Sequence, residues 1–404
     1  MKRVAITGYG AISACGPSAA DLWSSSVEGR SAVTEVKFER LKRQAVRQAA
    51  KLSDDFVASL TGYQPRFQDP VAAIAVAAAD EAVKQAKLTE EDFGPRCGVI
   101  IGSGVGGATT IDTNYFRFMG AADVRLDPMS VPKTMANSPA CWIAMRWKIT
   151  GPSYCISTAC SSANQSIGLG VQLIRAGIID RCLVGGAEAL LVNGMFAAWE
   201  SLHVMSSTLC RPFSAQRNGI VLGEGAGVIV LESLDAAARR GAEVLAEVAG
   251  YGTTTDAVDL LRPDKDGVRN CMQLAVADAE IPLADIGYVN AHGTGTIAND
   301  INEAQALRDL FGSNFDDLRI SSTKPIHGHA LGATGALECI ISICALQAQI
   351  APPTINFAAV DPKIAFEPVP NVAMRFSAPA VMSNTFAFGG INATLVLVRA
   401  GHRA

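Results

Sequence analysis

Short apolar runs ending in glycine recur along the chain, and between them come longer stretches in which apolar residues return every three or four positions. Val4-Ala5-Ile6-Thr7 runs into Gly8-Tyr9-Gly10, and Cys97-Gly98-Val99-Ile100-Ile101 runs into a glycine loop that ends at Gly107. Between the two, Asp69 to Leu88 has the period of an Ala-rich amphipathic helix. Arg181 to Glu188 and Tyr288 to Ala291 repeat the strand pattern, and Leu337 to Pro352, the most apolar run, reads as a buried core helix too short to span a bilayer. Continuous apolar runs of this length suit strands covered on both faces, so the alternation implies an α/β architecture with mainly parallel sheets. Residues 34 to 66 break the rhythm. They are polar and basic, with Arg40, Lys42, Arg43, Arg47 and Lys51, and read as a solvated helical excursion.

A faint echo runs through the pattern. Val4 to Gly10 and Glu247 to Gly252 are both strands ending at a Tyr-Gly turn, which suggests a duplicated build with halves at residues 1–245 and 246–404. The glycine loops do not suit a nucleotide. Pro17 falls where a dinucleotide-binding helix should be running after Gly8 and Gly10, and the loop ending at Gly107 lacks the Gly-Lys-Ser/Thr of a P-loop.

Composition narrows the class. The 404 residues are 49% hydrophobic and 18% charged, enough for a large core. A net charge of −4 gives no global attraction to nucleic acid or to an anionic membrane, so neither is an expected partner and any basic site must be local. The ten cysteines are scattered, form no Cys-x-x-Cys pair and follow no signal-peptide pattern, which fits a reduced cytoplasm.

Candidate chemistry concentrates at three places. Tyr154 to Gly170 is a strand, a turn of small residues and a helix, with Cys160 at the helix start. The positive end of a helix dipole favours a thiolate, so a lowered thiol pKa and a nucleophilic sulfur are expected there. In the second half, one strand ends at His292 before Gly293-Thr294-Gly295-Thr296, and another leads to His327-Gly328-His329 and a glycine-studded helix start. Open α/β sheets place ligands at such strand ends. Cys160, His292, His327 and His329 could alternatively ligate zinc, although no nearby acidic residue follows the spacing of a metal motif.

Four ordered blocks carry a resemblance: Ser157 to Ser162 (STACSS), Ala291 to Thr296 (AHGTGT), Ser322 to Glu338 (STKPIHGHALGATGALE) and Ser383 to Asn392 (SNTFAFGGIN). With the opening VAITGYGAIS and GIVLGEGAG at Gly219 to Gly227, the whole chain resembles the elongating β-ketoacyl-acyl carrier protein synthases. The resemblance implies the thiolase fold, five αβαβα layers built from two duplicated halves, and a homodimer. It implies an acyl carrier protein, both acyl- and malonyl-loaded, as partner, and no metal or other cofactor. Carried over by position, Cys160 is the acyl acceptor, His292 and His329 bind the malonyl thioester carbonyl, and the backbone N–H groups of Cys160 and Phe388 form an oxyanion hole. Lys324, Glu338, Asp300 and Glu303 match a supporting polar network, Thr294 and Thr296 the pantetheine contacts, and Phe388 a gating aromatic. Arg66, Arg125 and Arg211 match the carrier-docking surface.

Departures from the family pattern bear on specificity. Val105 and Ser130 stand where relatives tend to carry a larger aliphatic and an aromatic at the floor of the acyl tunnel, Ser130 being expected from the dimer partner. Ser214, Asn218 and Asp259 replace residues common in the family, and Ala387 replaces a frequent glycine. A pathway-specific ketosynthase of nodulation-factor, envelope-lipid or polyketide type shares the same chemistry. A non-catalytic chain-length partner subunit would lack the nucleophile, an initiating synthase would carry Asn at position 329, and a thiolase would carry a second cysteine near the C-terminus.

Overall fold

The computed structural model describes residues 2–121, 124–364 and 366–402. Ten strands form one continuous sheet: β1 (Val4–Ser13), β2 (Cys97–Gly102), β3 (Ser153–Ile156), β4 (Arg181–Glu188), β5 (Gly225–Ser233), β6 (Ala246–Thr255), β7 (Ile286–Asn290), β8 (Arg319–Ser321), β9 (Ala380–Ala387) and β10 (Ile391–Val398), in the spatial order β8-β7-β9-β10-β6-β1-β5-β4-β2-β3. The order is palindromic in its pairings. From β1 outward, β5 and β4 join antiparallel while β2 and β3 join parallel. From β6 outward, β10 and β9 join antiparallel while β7 and β8 join parallel. The halves meet where Ala5 and Ile6 pair with Glu247 and Ala246. The sheet is therefore mixed, not mainly parallel. One reason is local: β9 and β10 are joined by only Phe388, Gly389 and Gly390, too short for a crossover helix, and both glycines take positive φ (86° and 68°) to close the hairpin.

Eight helices matter to the site: α1 (Pro70–Ala86), α2 (Ala108–Gly120), α3 (Ser138–Trp147), α4 (Ser162–Arg175), α5 (Asn193–Ser201), α6 (Lys265–Ala279), α7 (Ile297–Phe311) and α8 (Thr334–Ala348). Helices α1 and α3 cover the outer face of the first half-sheet, α6 and α7 flank the second, and α4 and α8 lie between the halves against each other. This gives the five layers that the resemblance implies. The echoed Tyr-Gly strands are β1 and β6, and their glycines have one physical cause. A Cβ on Gly8 or Gly10 would stand 2.4 and 2.2 Å from the carbonyl oxygens of Ala82 and Ala78 on α1. A Cβ on Gly250 or Gly252 would stand 2.0 and 2.1 Å from those of Ala275 and Cys271 on α6. Each pair lets a helix lie directly on the strand backbone.

Two further expectations need correction. Residues 34–66 are not a solvated helix: they form a strap with strand pairs at Thr34–Glu35 and Gln48–Ala50 and one short helix, Asp54–Ser59. Charged residues dominate the strap, but Val36, Phe38 and Val46 bury themselves in a cluster that also contains Cys160. The run around α8 is longer than expected, since Leu331–Ala348 spans 18 residues at mean hydropathy 1.5, long and apolar enough to cross a membrane. It is 89% buried inside the protein, packed between the two half-sheets, which explains its composition.

Candidate active site

Cys160 sits just past β3, in a single 3-10 turn (Ala159–Ser161) that leads straight into α4. Ala159 takes φ 50°, a left-handed conformation costly for a residue with a Cβ, and this sharp turn aims the next side chain at the cavity. The same device recurs in the other half, where Leu331 takes φ 39° ahead of the turn before α8. His292 comes from the end of β7 and His329 from the loop after β8, so the two halves supply opposite sides of one site.

The three side chains converge. Cys160 Sγ lies 3.0 Å from His329 Nε2, and the His292 and His329 rings stand edge to face with centroids 5.6 Å apart. His329 Nδ1 is 2.9 Å from the Thr334 hydroxyl, a group that accepts from or donates to it according to the tautomer. His327 does not join: its Nε2 pairs with the Thr323 hydroxyl at 3.0 Å, leaving, among the described residues, Cys160, His292 and His329 as the cluster whose donor atoms lie within 4.8 Å of one another. The site is buried and its electrostatics follow from that. Burial, reinforced by the charge of Lys324, holds His292 and His329 well below the ordinary imidazole value, so both rings are neutral. The expected lowering of the Cys160 thiol is not found. Desolvation pushes it up to about 12, against the downward pull of Lys324 and of backbone hydrogen bonds from Cys160 and Phe388. The helix start is present, but loss of water outweighs it.

The polar residues carried over by position all sit within this architecture. Lys324 is fully buried, its Nζ bonded to Glu338 Oε1 at 2.6 Å and to the His292 carbonyl oxygen. Glu303 accepts from the backbone N–H groups of His292 and Gly293 at 2.8 Å each, and Asp300 accepts from Phe213 at 2.8 Å and Gly295 at 3.2 Å. These two carboxyls hold the histidine loop by its backbone. Thr294 and Thr296 hydroxyls lie 2.9 Å apart on the wall of the cavity that contains Cys160, together with Phe388. The cavity is about 60 Å³, too small for an acyl chain.

Other residues are placed elsewhere. Val105 packs at half burial against the Cys160 cluster, whereas Ser130 borders a separate cavity with Tyr115, Phe118 and Val131 and does not approach Cys160 within the chain. Arg66 and Arg125 are exposed and Arg211 is half buried. Three residues escaped sequence reasoning: Thr334, Trp199 and Glu188. Glu188 closes β4 fully buried, accepting from the backbone of Gly104 (2.7 Å), Val105 (3.2 Å) and Gly332 (3.0 Å) and thereby joining the Val105 loop to the turn after His329. A charge ending an otherwise apolar strand was the available signal.

Comparison with known families decides the kinship. The beta-ketoacyl synthase N-terminal domain matches residues 1–237 and the beta-ketoacyl synthase C-terminal domain matches residues 245–358. The chain is a beta-ketoacyl synthase. Among its relatives, Nodulation protein E of Rhizobium sp. (strain N33) is 38% identical over 395 residues, covering 98% of each chain. The 3-oxoacyl-[acyl-carrier-protein] synthase 2 of Staphylococcus aureus (strain COL) is 36% identical over 404 residues, again covering 98% of each. A solved type II PKS ketosynthase, in complex with its acyl-carrier protein and bound to the hexaketide, superposes with a TM-score of 0.91 at 27% identity, covering 99% of this chain and all of that one. This synthase is accordingly a condensing acyltransferase of the thiolase fold.

Proposed function

We propose that the synthase performs a decarboxylative Claisen condensation between an acyl chain held on Cys160 and malonyl-acyl carrier protein. The observation that carries the assignment is the convergence of one buried sulfur and two neutral imidazoles. The Cys160 sulfur attacks the acyl thioester carbonyl as its proton passes to His329 Nε2. The carrier's thiolate then leaves and is protonated from solvent, while the imidazolium returns to neutrality by giving its Nδ1 proton to the Thr334 hydroxyl, which passes one on, so that Nε2 keeps its proton. Because the resting thiol is pushed up to about 12, this proton acceptor at 3.0 Å matters more than the helix dipole. The oxyanion is met by the backbone N–H groups of Cys160 and Phe388.

In the second stage the malonyl carbon–carboxylate bond breaks, carbon dioxide departs and the electron pair passes into a thioester enolate. His292 and His329 donate from Nε2 to its oxygen. Neutral donors stabilise that charge without protonating the carbanion, and the Thr334 hydroxyl serves His329 in either tautomer. The carbanion attacks the acyl carbonyl, the bond to Cys160 breaks, and a 3-oxoacyl-acyl carrier protein two carbons longer is released. Phe388, between β9 and two left-handed glycines, gates the 60 Å³ cavity, and Thr294 and Thr296 contact the pantetheine arm.

The enzyme acts as a homodimer in the cytoplasm. Strand β3 is a bare sheet edge bearing Tyr154, and Phe116, Phe118 and Met119 of α2 with Val131 form an exposed apolar patch; both features favour a second copy. All ten cysteines are unpaired, which supports a reducing compartment. A second reading, a ketosynthase dedicated to one specialised acyl product, is favoured by the 38% identity to Nodulation protein E together with Val105 and Ser130 at the tunnel positions. Mass spectrometry of acyl-Cys160 formed with a panel of acyl carriers separates the two: a broad range of saturated chains supports general elongation, one unusual chain supports the specialised role, and no mass shift on Cys160 sinks both.

A further inference from the structure

Trp199 lies across the cavity from Phe388, the two rings stacked at a centroid distance of 6.0 Å and an interplanar angle of 18°. Both residues line the cavity that holds Cys160, His292 and His329. Their backbones differ in kind. Phe388 precedes Gly389 and Gly390, both at positive φ, and a Cβ on Gly389 would meet only Ile391 at 3.7 Å. Trp199 belongs to α5, which is pinned on its other side. Phe196, fully buried, stacks on Phe38 with centroids 4.5 Å apart, and Glu200 accepts from the backbone N–H groups of Ala45 and Val46 at 2.7 and 2.8 Å. The Phe388 loop is tied at its glycines, by Gly389 N–H to the Leu260 oxygen at 2.7 Å and by Asp256 N–H to the Gly390 oxygen at 2.8 Å, so a ring on a pinned helix faces a ring at the tip of a short hairpin.

The stacked position is also the position in which the Phe388 backbone N–H acts on the Cys160 sulfur. We infer that Trp199 is a positioning residue: its ring docks Phe388 so that the closed gate and the oxyanion donor are assembled in a single movement. Swinging Phe388 away to admit an acyl chain separates the rings and withdraws the donor, and restacking restores both before the acyl carbonyl is attacked. Aromatic stacking contributes about 0.5–1.5 kcal/mol beyond area burial, enough to bias a gate without locking it. Gate closure and transition-state stabilisation are then coupled through one side chain on the cavity wall.

The inference rests on Cys160 being the acyl acceptor, and the test keeps the two apart. Trp199→Ala, Trp199→Leu and Trp199→Phe are compared with the parent enzyme for acyl transfer to Cys160 and for alkylation of Cys160 by iodoacetamide across pH. The ring-less variants should lose up to about tenfold in the maximal rate of acyl transfer, the factor that the stacking energy allows, well short of the roughly 10²–10³-fold that deleting an oxyanion donor outright costs. Their alkylation profiles should shift to higher pH, because one hydrogen bond to the thiolate is weakened while His329, His292, Lys324 and Glu188, the ionisable groups facing the sulfur, are unchanged. Trp199→Phe should restore the rate to within about threefold. Trp199→Leu keeps apolar bulk, so a folded Leu variant reports on the ring even where Ala unfolds. Parent-like rates and alkylation in the Ala or Leu variants, or equal defects in Leu and Phe, overturn the inference. A parent enzyme that takes no acyl group on Cys160 overturns the underlying assignment instead.

Discussion

Cys160 Sγ and His329 Nε2 stand 3.0 Å apart across the boundary between the two halves of the chain, the sulfur carried by the turn before α4 and the imidazole by the loop before α8. The proposed nucleophile and proton acceptor are thus brought together only when both halves are folded and packed. Cys160→Ala should abolish condensation, while Cys160→Gln, which leaves both imidazoles in place, should retain malonyl decarboxylation. His292→Ala should still accept an acyl group on Cys160 but release little carbon dioxide. His329→Ala should also fail in carbon–carbon bond formation, and its acylation should slow as well, since it removes the group beside the thiol. Condensation by His329→Ala at the parent rate would refute the two-histidine scheme.

Lys324 acts on both histidines and on its own carboxylate partner, so its removal has a pH signature and a stability cost. His292 and His329 titrate well below the ordinary 6.5, burial first and Lys324 second. For a group lowered in this way, the folded state binds fewer protons than the unfolded one just below pH 6.5, so the stabilisation exists above that value and is lost as pH falls through the folded pKa. Decarboxylation should accordingly persist into mildly acidic buffer. Lys324→Met removes one lowering influence, so the acid limb should move toward higher pH. The same change strands Glu338, whose ionised form burial already disfavours and Lys324 supports, and should cost about 3–5 kcal/mol in denaturant unfolding. Lys324→Met/Glu338→Leu should recover much of that stability with the shifted pH profile intact.

Much of this was legible in the sequence because the motifs are local. The turn at Cys160, the strand-end histidines and the two glycine pairs each lie within a few residues, and each has one physical reason that a pattern reveals. What stayed hidden depends on surroundings. The direction of the Cys160 pKa could not be read from a helix start, because desolvation is set by the Val36 strap, α5 and the Phe388 loop closing over it. The strap itself misled because its charges outnumber the three apolar side chains that anchor it. Trp199 and Glu188 gave no spacing signal, since their partners, Phe388 and Gly332, are far away along the chain.

Docking of an acidic carrier protein on a chain of net charge −4 requires a local basic patch. Arg66 and Arg125 are exposed and Arg211 is half buried in the loop that Asp300 holds at Phe213. Reversing charge at Arg125 and Arg211 should raise the apparent KM for acyl carrier substrates several-fold and flatten its dependence on salt, as exposed charges are screened over roughly 8–10 Å in ordinary buffers. Turnover at saturation should change little. An unaltered KM and salt slope would place the carrier elsewhere; Arg66→Glu supplies an independent check, being far in sequence from the other two.

The acyl tunnel should accept longer or bulkier chains than a synthase with larger side chains at the same positions. Val105 packs against the cluster that contains Cys160 within one chain, while Ser130 reaches only a surface cavity there, with its hydroxyl oxygen buried and without a hydrogen-bond partner. The two positions can therefore bound one tunnel only if a second copy brings its Ser130 to the first copy's Val105. Filling such a space with acyl methylenes gains roughly 0.8 kcal/mol per buried CH₂, about a fourfold preference each. Chain preference should then change steeply with tunnel length. Val105→Phe and Ser130→Phe should each shorten the longest chain accepted from a series of acyl carriers while sparing the shortest. With Val105 acting within its own subunit and Ser130 across the interface of the proposed homodimer, a heterodimer of the two single variants would have one tunnel blocked at both positions and one tunnel blocked at neither. Such a heterodimer should keep half of the long-chain activity, whereas blocking within a single chain would leave neither tunnel open. An unchanged chain-length profile in both single variants would show that these residues do not line the tunnel.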